Sequence, residues 1–420
     1  MPGALWALFA GLLVASAHFF APSTEGIQDD NVFKLPLMLI PPLTGVELQQ
    51  KLDKPRPSPY FWCPTHSDWS TLWITPSILV PGIFSCAVEN LKLIYSPRTN
   101  LSHSVDGVTV RPTHGFEKTL NPLAPLISEL ERLGWQWGKQ LQAHIYDWRL
   151  SPNDWATARE FGWAELKRSI EELQEINGGR KVILAGISMG STYINAFLHS
   201  MVTEEWKASN IAGFFSISGV FGGTPAAAQG IISGRLEGLE ILFHKEDLLT
   251  LMRGLPVMPW LTPHPDIYDK GQVFIKNTAT KRSYSAAKMD KAFSDAGAYQ
   301  AAAAWQQVLT YPNHLPPNVT TYCLYSKGLK TIKSLKYSRK DFMDTPVLSY
   351  ADGDSTVPLA GLKSACDNWV QAQELPVYSR VWENVGHAGI LMAKGGVQYV
   401  VDAVKALGRK EMMRVLNEQA

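Results

Sequence analysis

Ser188 stands between two glycines in Gly186-Ile187-Ser188-Met189-Gly190, and an apolar run, Val182-Ile183-Leu184-Ala185, leads into it. The pattern reads as strand, sharp turn and helix, with the serine at backbone angles that an ordinary turn avoids and residues without bulk two places to either side. A hydroxyl lifted in this way above the end of a sheet is placed for nucleophilic attack. The Met189 N–H, at the start of the helix, would point at the oxyanion that attack creates, with the helix dipole adding to the pull. Such a hydroxyl needs a base, and the base needs a carboxylate to fix its tautomer. Both types occur later, in the order acid then histidine. Asp352-Gly353-Asp354 follows an apolar run at 347–350, and His387 follows another at 377–382. Asp354 is assigned as the acid in preference to Asp352, His387 as the base, and Leu43, opening the loop after an early apolar run at 35–41, as the second oxyanion donor.

These residues work together only if strands deliver them to one edge of a sheet. Apolar runs at 35–41, 182–187, 214–218, 320–326, 347–350 and 377–382 read as buried strands, and residues 145–149 as a further strand end. Helical stripes fall between them, with Leu126, Leu130 and Leu133 on one and Trp163, Leu166, Ile170 and Leu173 on another, which Gly178-Gly179 ends. Two more helical stretches close the chain, at 396–406 and 410–418. Strands alternating with helices imply a mainly parallel sheet covered on both faces, and the order Ser, Asp, His is that of an α/β-hydrolase fold. Two stretches break the rhythm. Residues 55–86 are aromatic and loop-like, with Trp62, Trp69 and Trp73, and are expected to form either a lid that touches membrane or a satellite core; residues 224–316 fit a cap inserted over the sheet. The expected organisation is a leader at 1–17, a hydrolase domain over 34–420, a lid or membrane-binding insertion at 45–105 and a cap insertion at 224–316.

Composition narrows the function. The chain has 420 residues, long enough for one large α/β domain with insertions, and its 39 Lys and Arg nearly balance 38 Asp and Glu, so no strong field recruits nucleic acid. Residues 4–17 form an apolar run ending in Ala15-Ser16-Ala17, the pattern of a secretory leader cut after Ala17; it lacks Lys and Arg at its start, so an uncleaved anchor is the alternative. Sequons at Asn100 and Asn318 agree with passage through the secretory route, and four cysteines in an exported chain favour two disulfides over metal ligation. Of three pairings the sequential one is adopted, Cys63–Cys86 and Cys323–Cys366, each loop closure contributing roughly 3–4 kcal/mol. No metal and no cofactor is expected.

Further motifs add detail. Gly45 with Glu47-Leu48 and residues 51–55, Cys63 to Cys86 with Trp73, Asp106-Gly107-Val108, Gly115-Phe116, Tyr146-Asp147-Trp148-Arg149, Ser188-Met189-Gly190, Gly222-Gly223, residues 293–297, Cys323, Asp352-Gly353-Asp354 with Thr356-Val357, and His387 together resemble the lecithin:cholesterol acyltransferase family, and within it most closely the lysosomal phospholipase A branch. The resemblance runs from about residue 37 to 387. It implies a nucleophile at Ser188, an acid at Asp354, a base at His387, oxyanion donors at Leu43 and Met189, the two sequential disulfides, and a membrane-contacting lid around the first of them. The chain departs from the pattern at Pro41-Pro42, where the family has Pro-Gly, at Ile187, and at Gly219-Val220-Phe221; the first bears on the oxyanion loop and the others on the acyl-chain pocket. The implied activity is cleavage of an acyl ester of a membrane glycerophospholipid, with the acyl group passed to water or to a lipid alcohol such as a sterol or ceramide-like acceptor, in the secreted or lysosomal lumen. A lipase of neutral acylglycerols and a non-catalytic lipid-binding protein are the competing readings.

Overall fold

Alternation along the innermost strands sets up the layers. The computed structural model describes residues 34–419 apart from 57, 81, 114–121 and 237–242. The expected leader and the Gly115-Phe116 pair therefore lie outside the described residues. In chain order the strands are β1 (Leu37–Ile40), β2 (Glu47–Asp53), β3 (His66–Trp73), β4 (Leu93–Ser96), β5 (Leu101–Ser104), β6 (Val108–Thr113), β7 (Leu141–Ala143), β8 (Val182–Ile187), β9 (Ile211–Ile217), β10 (Val273–Asn277), β11 (Arg282–Ser285), β12 (Thr321–Lys327), β13 (Leu329–Tyr337), β14 (Val347–Gly353) and β15 (Val377–Glu383). Six of them form the central sheet, in the order β15-β12-β9-β8-β1-β7, and all its pairings are parallel. Within β1, Met38 and Ile40 turn to one core while Leu37 and Leu39 turn to the other. A sheet buried on both faces needs this, and it is why β1 and β8 read as unbroken apolar runs.

Helices cover the two faces. Trp163–Ile176 buries the expected stripe of Trp163, Leu166, Ile170 and Leu173, and Ala124–Arg132 buries Leu126 and Leu130 on the opposite side. Gly396–Gln419 is one continuous helix rather than two. Gly408 costs a helix interior only about 1 kcal/mol, and Val400, Val401 and Val404 of this helix are buried.

Three further sheets flank the central one: β3-β2-β6, β4-β5 and β11-β10-β13-β14. Residues 145–149 are not a strand end. The strand is the earlier β7, and the run Tyr146-Asp147-Trp148-Arg149 leaves it as buried irregular chain. Arg149 forms a forked pair with Asp147, Nη2 to Oδ2 at 2.7 Å and Nε to Oδ1 at 2.9 Å, and donates from Nη1 to the Leu91 carbonyl at 3.2 Å. A buried cation with each guanidinium nitrogen engaged thus holds the end of the helix Ile83–Leu91 against the main body.

Candidate active site

The strand β8 ends at Ile187, and Ser188 takes φ 55° and ψ −124° before the helix Met189–Ser200 begins. Its N–H donates to the Ile217 carbonyl at the end of β9 at 2.8 Å, which fixes the turn. The two glycines are required by close approach. A Cβ on Gly186 would lie 2.6 Å from the Gly190 carbonyl carbon, and a Cβ on Gly190 would lie 2.4 Å from the Ile40 carbonyl oxygen. The elbow is therefore pressed against both itself and the end of β1.

Ser188, His387 and Asp354 meet here. His387 Nε2 lies 2.8 Å from Ser188 Oγ, and Asp354 Oδ2 accepts from His387 Nδ1 at 2.6 Å. Asp354 is fully buried, and its other oxygen accepts from the N–H groups of Thr356 at 3.0 Å and Val357 at 2.7 Å. Two backbone donors on one oxygen hold the carboxylate in place. Asp352 is exposed and accepts instead from the Gly328 N–H. His387 reaches the serine from the turn after β15, where Ser326 Oγ donates to the Val385 carbonyl at 2.7 Å.

The strand before the acid is not part of the central sheet. β14 pairs antiparallel with β13, which the sequence reading did not separate from its surroundings, and the two belong to the sheet that also contains β10 and β11. A hairpin thus carries Asp354 back to the edge where β8 and β15 end, with Asp354 bridged to Leu329 at the start of β13.

Leu43 is buried in the turn after β1, where Gly45 N–H donates to the Pro42 carbonyl at 3.0 Å. Three aromatic donors pin this segment: Tyr146 Oη to the Pro41 carbonyl at 2.8 Å, Trp73 Nε1 to the Thr44 carbonyl at 3.0 Å, and Trp148 Nε1 to the Val46 carbonyl at 3.0 Å. The Pro41-Pro42 pair is accommodated because these contacts use carbonyls, and proline keeps its carbonyl. The residues that the sequence reading missed are Tyr146 and Trp148, whose position in a run taken for a strand end hid their role. Met189 is the first residue of its helix, where an N–H has no intrahelical acceptor. An apolar cleft opens beside Leu43 and Thr44, lined by Trp73, Trp148, Met252 and Met258.

Of the three tryptophans expected on a lid, Trp62 is 52% exposed and Trp69 39%, whereas Trp73 is 2% exposed and faces inward. Trp69 and Trp73 would share a face under strict alternation, but the β2–β3 register shifts between Leu48 and Gln49, opposite Trp73 and Thr71. The extra residue, Leu72, turns Trp73 over into contact with Trp148, ring centroids 5.5 Å apart. Trp69 keeps an outer position with the Arg111 guanidinium 3.9 Å from its ring centroid. Both disulfides have the sequential pairing, Cys63–Cys86 and Cys323–Cys366. Asn100 and Asn318 are half-buried, and their side chains touch Tyr95 and Glu204 respectively.

Residues 69–308 match the family model described as lecithin:cholesterol acyltransferase. The chain belongs to the lecithin:cholesterol acyltransferase family. It is 28% identical over 358 residues, 81% of this chain and 84% of the relative, to the bovine (Bos taurus) lysosomal phospholipase A and acyltransferase. It is 26% identical over 423 residues, 95% of this chain and 94% of the relative, to the mouse (Mus musculus) phosphatidylcholine-sterol acyltransferase. Among solved structures it is similar to a chain of the Tle4-Tli4 complex, with a TM-score of 0.56 and 10% identity over 89% of this chain and 98% of that one. The fold is that of an α/β-hydrolase, and this member of the lecithin:cholesterol acyltransferase family is an enzyme of the acyltransferase and phospholipase class.

Proposed function

We propose that Ser188 attacks the acyl carbonyl of a membrane glycerophospholipid and that the acyl group then passes to water or to a lipid alcohol. The observation that carries this reading is the unbroken relay Ser188 Oγ, His387 Nε2, His387 Nδ1, Asp354 Oδ2, at 2.8 and 2.6 Å, beside an apolar cleft. As Oγ bonds to the carbonyl carbon, His387 Nε2 takes its proton, and Asp354 stabilises the imidazolium that results. The N–H groups of Leu43 and Met189 receive the oxyanion. Collapse breaks the ester bond, and the lysophospholipid oxygen leaves with the proton from His387. The acceptor hydroxyl then gives its proton to His387 as its oxygen bonds to the acyl carbon, and the bond to Ser188 Oγ breaks as His387 returns that proton to it.

The exposed aromatics support a membrane-contacting lid within residues 45–105. Phe61 is 92% exposed beside Trp62, Val80 and Ile83 are also exposed, and all lie within six residues along the chain of Cys63 or Cys86, which the first disulfide joins. The cap reading of residues 224–316 is supported by Met252 and Met258 of this segment, which line the same cleft as Leu43. Action in a secreted or lysosomal lumen fits the two disulfides, and the lysosomal alternative fits the name of the bovine relative.

The test uses liposomes whose phosphatidylcholine carries different acyl chains at its two positions, with and without sterol or a long-chain alcohol, for the wild type and Ser188→Ala. Lysophospholipid and fatty acid, or an acylated alcohol, formed by the wild type and absent with the folded variant, is the expected result. Equal product from the variant would refute the nucleophile, and turnover of triacylglycerol alone would replace the substrate class.

A further inference from the structure

Three ligand-type side chains from two separate parts of the chain, none of them a member of the Ser188–His387–Asp354 relay, converge. Asp266 Oδ2 lies 3.6 Å from His264 Nδ1 and 3.3 Å from His314 Nδ1, and the three ligand atoms all fall within 4.8 Å of one another. Hydrogen bonding does not account for the arrangement. His314 Nδ1 and His264 Nε2 are buried without a hydrogen-bond partner, and 3.6 Å is too long for a bond to the carboxylate. Asp266 N–H donates to His264 Nδ1 at 3.4 Å, so this nitrogen carries an electron pair and faces the same residue's carboxylate with no proton between them. A carboxylate set against the His264 electron pair is repulsive unless a cation lies between them, and His314 Nδ1, buried without a hydrogen bond 3.3 Å from the same carboxylate oxygen, stands at the same point.

We propose that His264, Asp266 and His314 bind one divalent transition-metal ion of the zinc class. Two neutral imidazoles and a carboxylate are the nitrogen and oxygen donors that zinc takes, whereas calcium and magnesium take oxygen alone. Bonds of about 2.0–2.2 Å in a tetrahedron place ligand atoms about 3.3–3.5 Å apart, close to both measured gaps. His264 is 97% buried by side chain, while the Asp266 side chain is 49% exposed and that of His314 29%, which gives an ion a route from solvent and leaves a fourth position to water.

The ligands are held by the scaffold. His264 N–H donates to the Gly222 carbonyl at 3.1 Å, Trp369 Nε1 donates to the His314 carbonyl at 2.8 Å, and Asn195 Nδ2 donates to the Asn313 carbonyl at 3.3 Å. Asn195 belongs to the helix that Ser188 opens. The ion would therefore tie residues 264–266 to residue 314, near the far end of the proposed cap segment. The sequence alone gave no expectation of a metal; His264 and Asp266 are two residues apart and His314 lies 48 residues further along the chain.

The test titrates Co2+ and Zn2+ into chelator-stripped full-length protein, following visible d–d absorption and thermal melting. The expected result is one Co2+ per chain with the intense bands of four-coordination, displaced by Zn2+, and a melting temperature that rises until one equivalent of Zn2+ is bound. His314→Ala and Asp266→Asn, at partly exposed positions, should fold and lose both responses, and His387→Ala should keep them. No band in the wild type, a band surviving both variants, or a band lost only in His387→Ala would overturn the proposal.

Discussion

Replacing Gly190 by alanine isolates the contact between the nucleophile turn and the proposed oxyanion loop. The added Cβ would stand 2.4 Å from the Ile40 carbonyl oxygen and 2.6 Å from that of Pro41. Either the loop or the start of the helix must recede by about 1 Å to restore ordinary non-bonded spacing. The loop cannot yield freely, because Tyr146 already holds the Pro41 carbonyl at 2.8 Å and Trp73 the Thr44 carbonyl at 3.0 Å. The displacement therefore opens the gap between the Met189 and Leu43 N–H groups, whose spacing must match one oxyanion. A misplacement of about 1 Å costs on the order of 100-fold in rate, or about 2.7 kcal/mol of transition-state stabilisation. The overpacking itself should lower stability by about 1–3 kcal/mol. The assay is turnover of a soluble short-chain ester, normalised to sites labelled by a fluorophosphonate, with thermal melting alongside. A folded Gly190→Ala protein whose kcat stays within about 3-fold of the wild type would show that elbow and loop are not coupled as argued.

The inward and outward tryptophans should separate cleanly. Trp62→Ala and Trp69→Ala are expected to weaken co-flotation with phosphatidylcholine liposomes while sparing the soluble ester; Trp73→Ala should lose about 3–5 kcal/mol of stability and activity on both substrates, and equal loss of flotation in all three would contradict the lid reading. Acid stability offers a second check. Burial lowers His144 from 6.5 to about 3, with Tyr193 Oη 2.9 Å from its Nε2. The unfolded chain binds this proton first, so stability is complete above about pH 6.5 and is lost as pH falls toward 3, by about 2 kcal/mol at pH 5. His144→Gln should flatten that part of the urea-unfolding profile by about one proton, and an unchanged slope would reject the assignment.

How much was legible depends on how local the cause is. The elbow at Ser188 is a local event: an apolar strand, two bare positions and a helix start lie within ten residues, so residue type alone marks it. Asp354 and His387 were legible because each closes a strand and because chain order is itself a topological signal. β13 was not, since Lys330, Lys333 and Lys336, spaced by three rather than two, gave it a polar cast without alternation; its inward residues Ile332, Leu335 and Tyr337 have meaning only against the rest of its sheet. The side of β3 from which Trp73 projects could not be read, because a single extra residue in the strand inverts the face. By itself the sequence determined the sharp turn at Ser188, the order of Asp354 and His387 after it, the alternating parallel core and an even set of cysteines, all properties of neighbouring residues. Only the tertiary structure decided the distances at Ser188, the pinning of residues 41–46 by Tyr146, Trp73 and Trp148, and the meeting of His264, Asp266 and His314. Those contacts join segments remote along the chain, and their geometry is set by packing that local sequence does not encode.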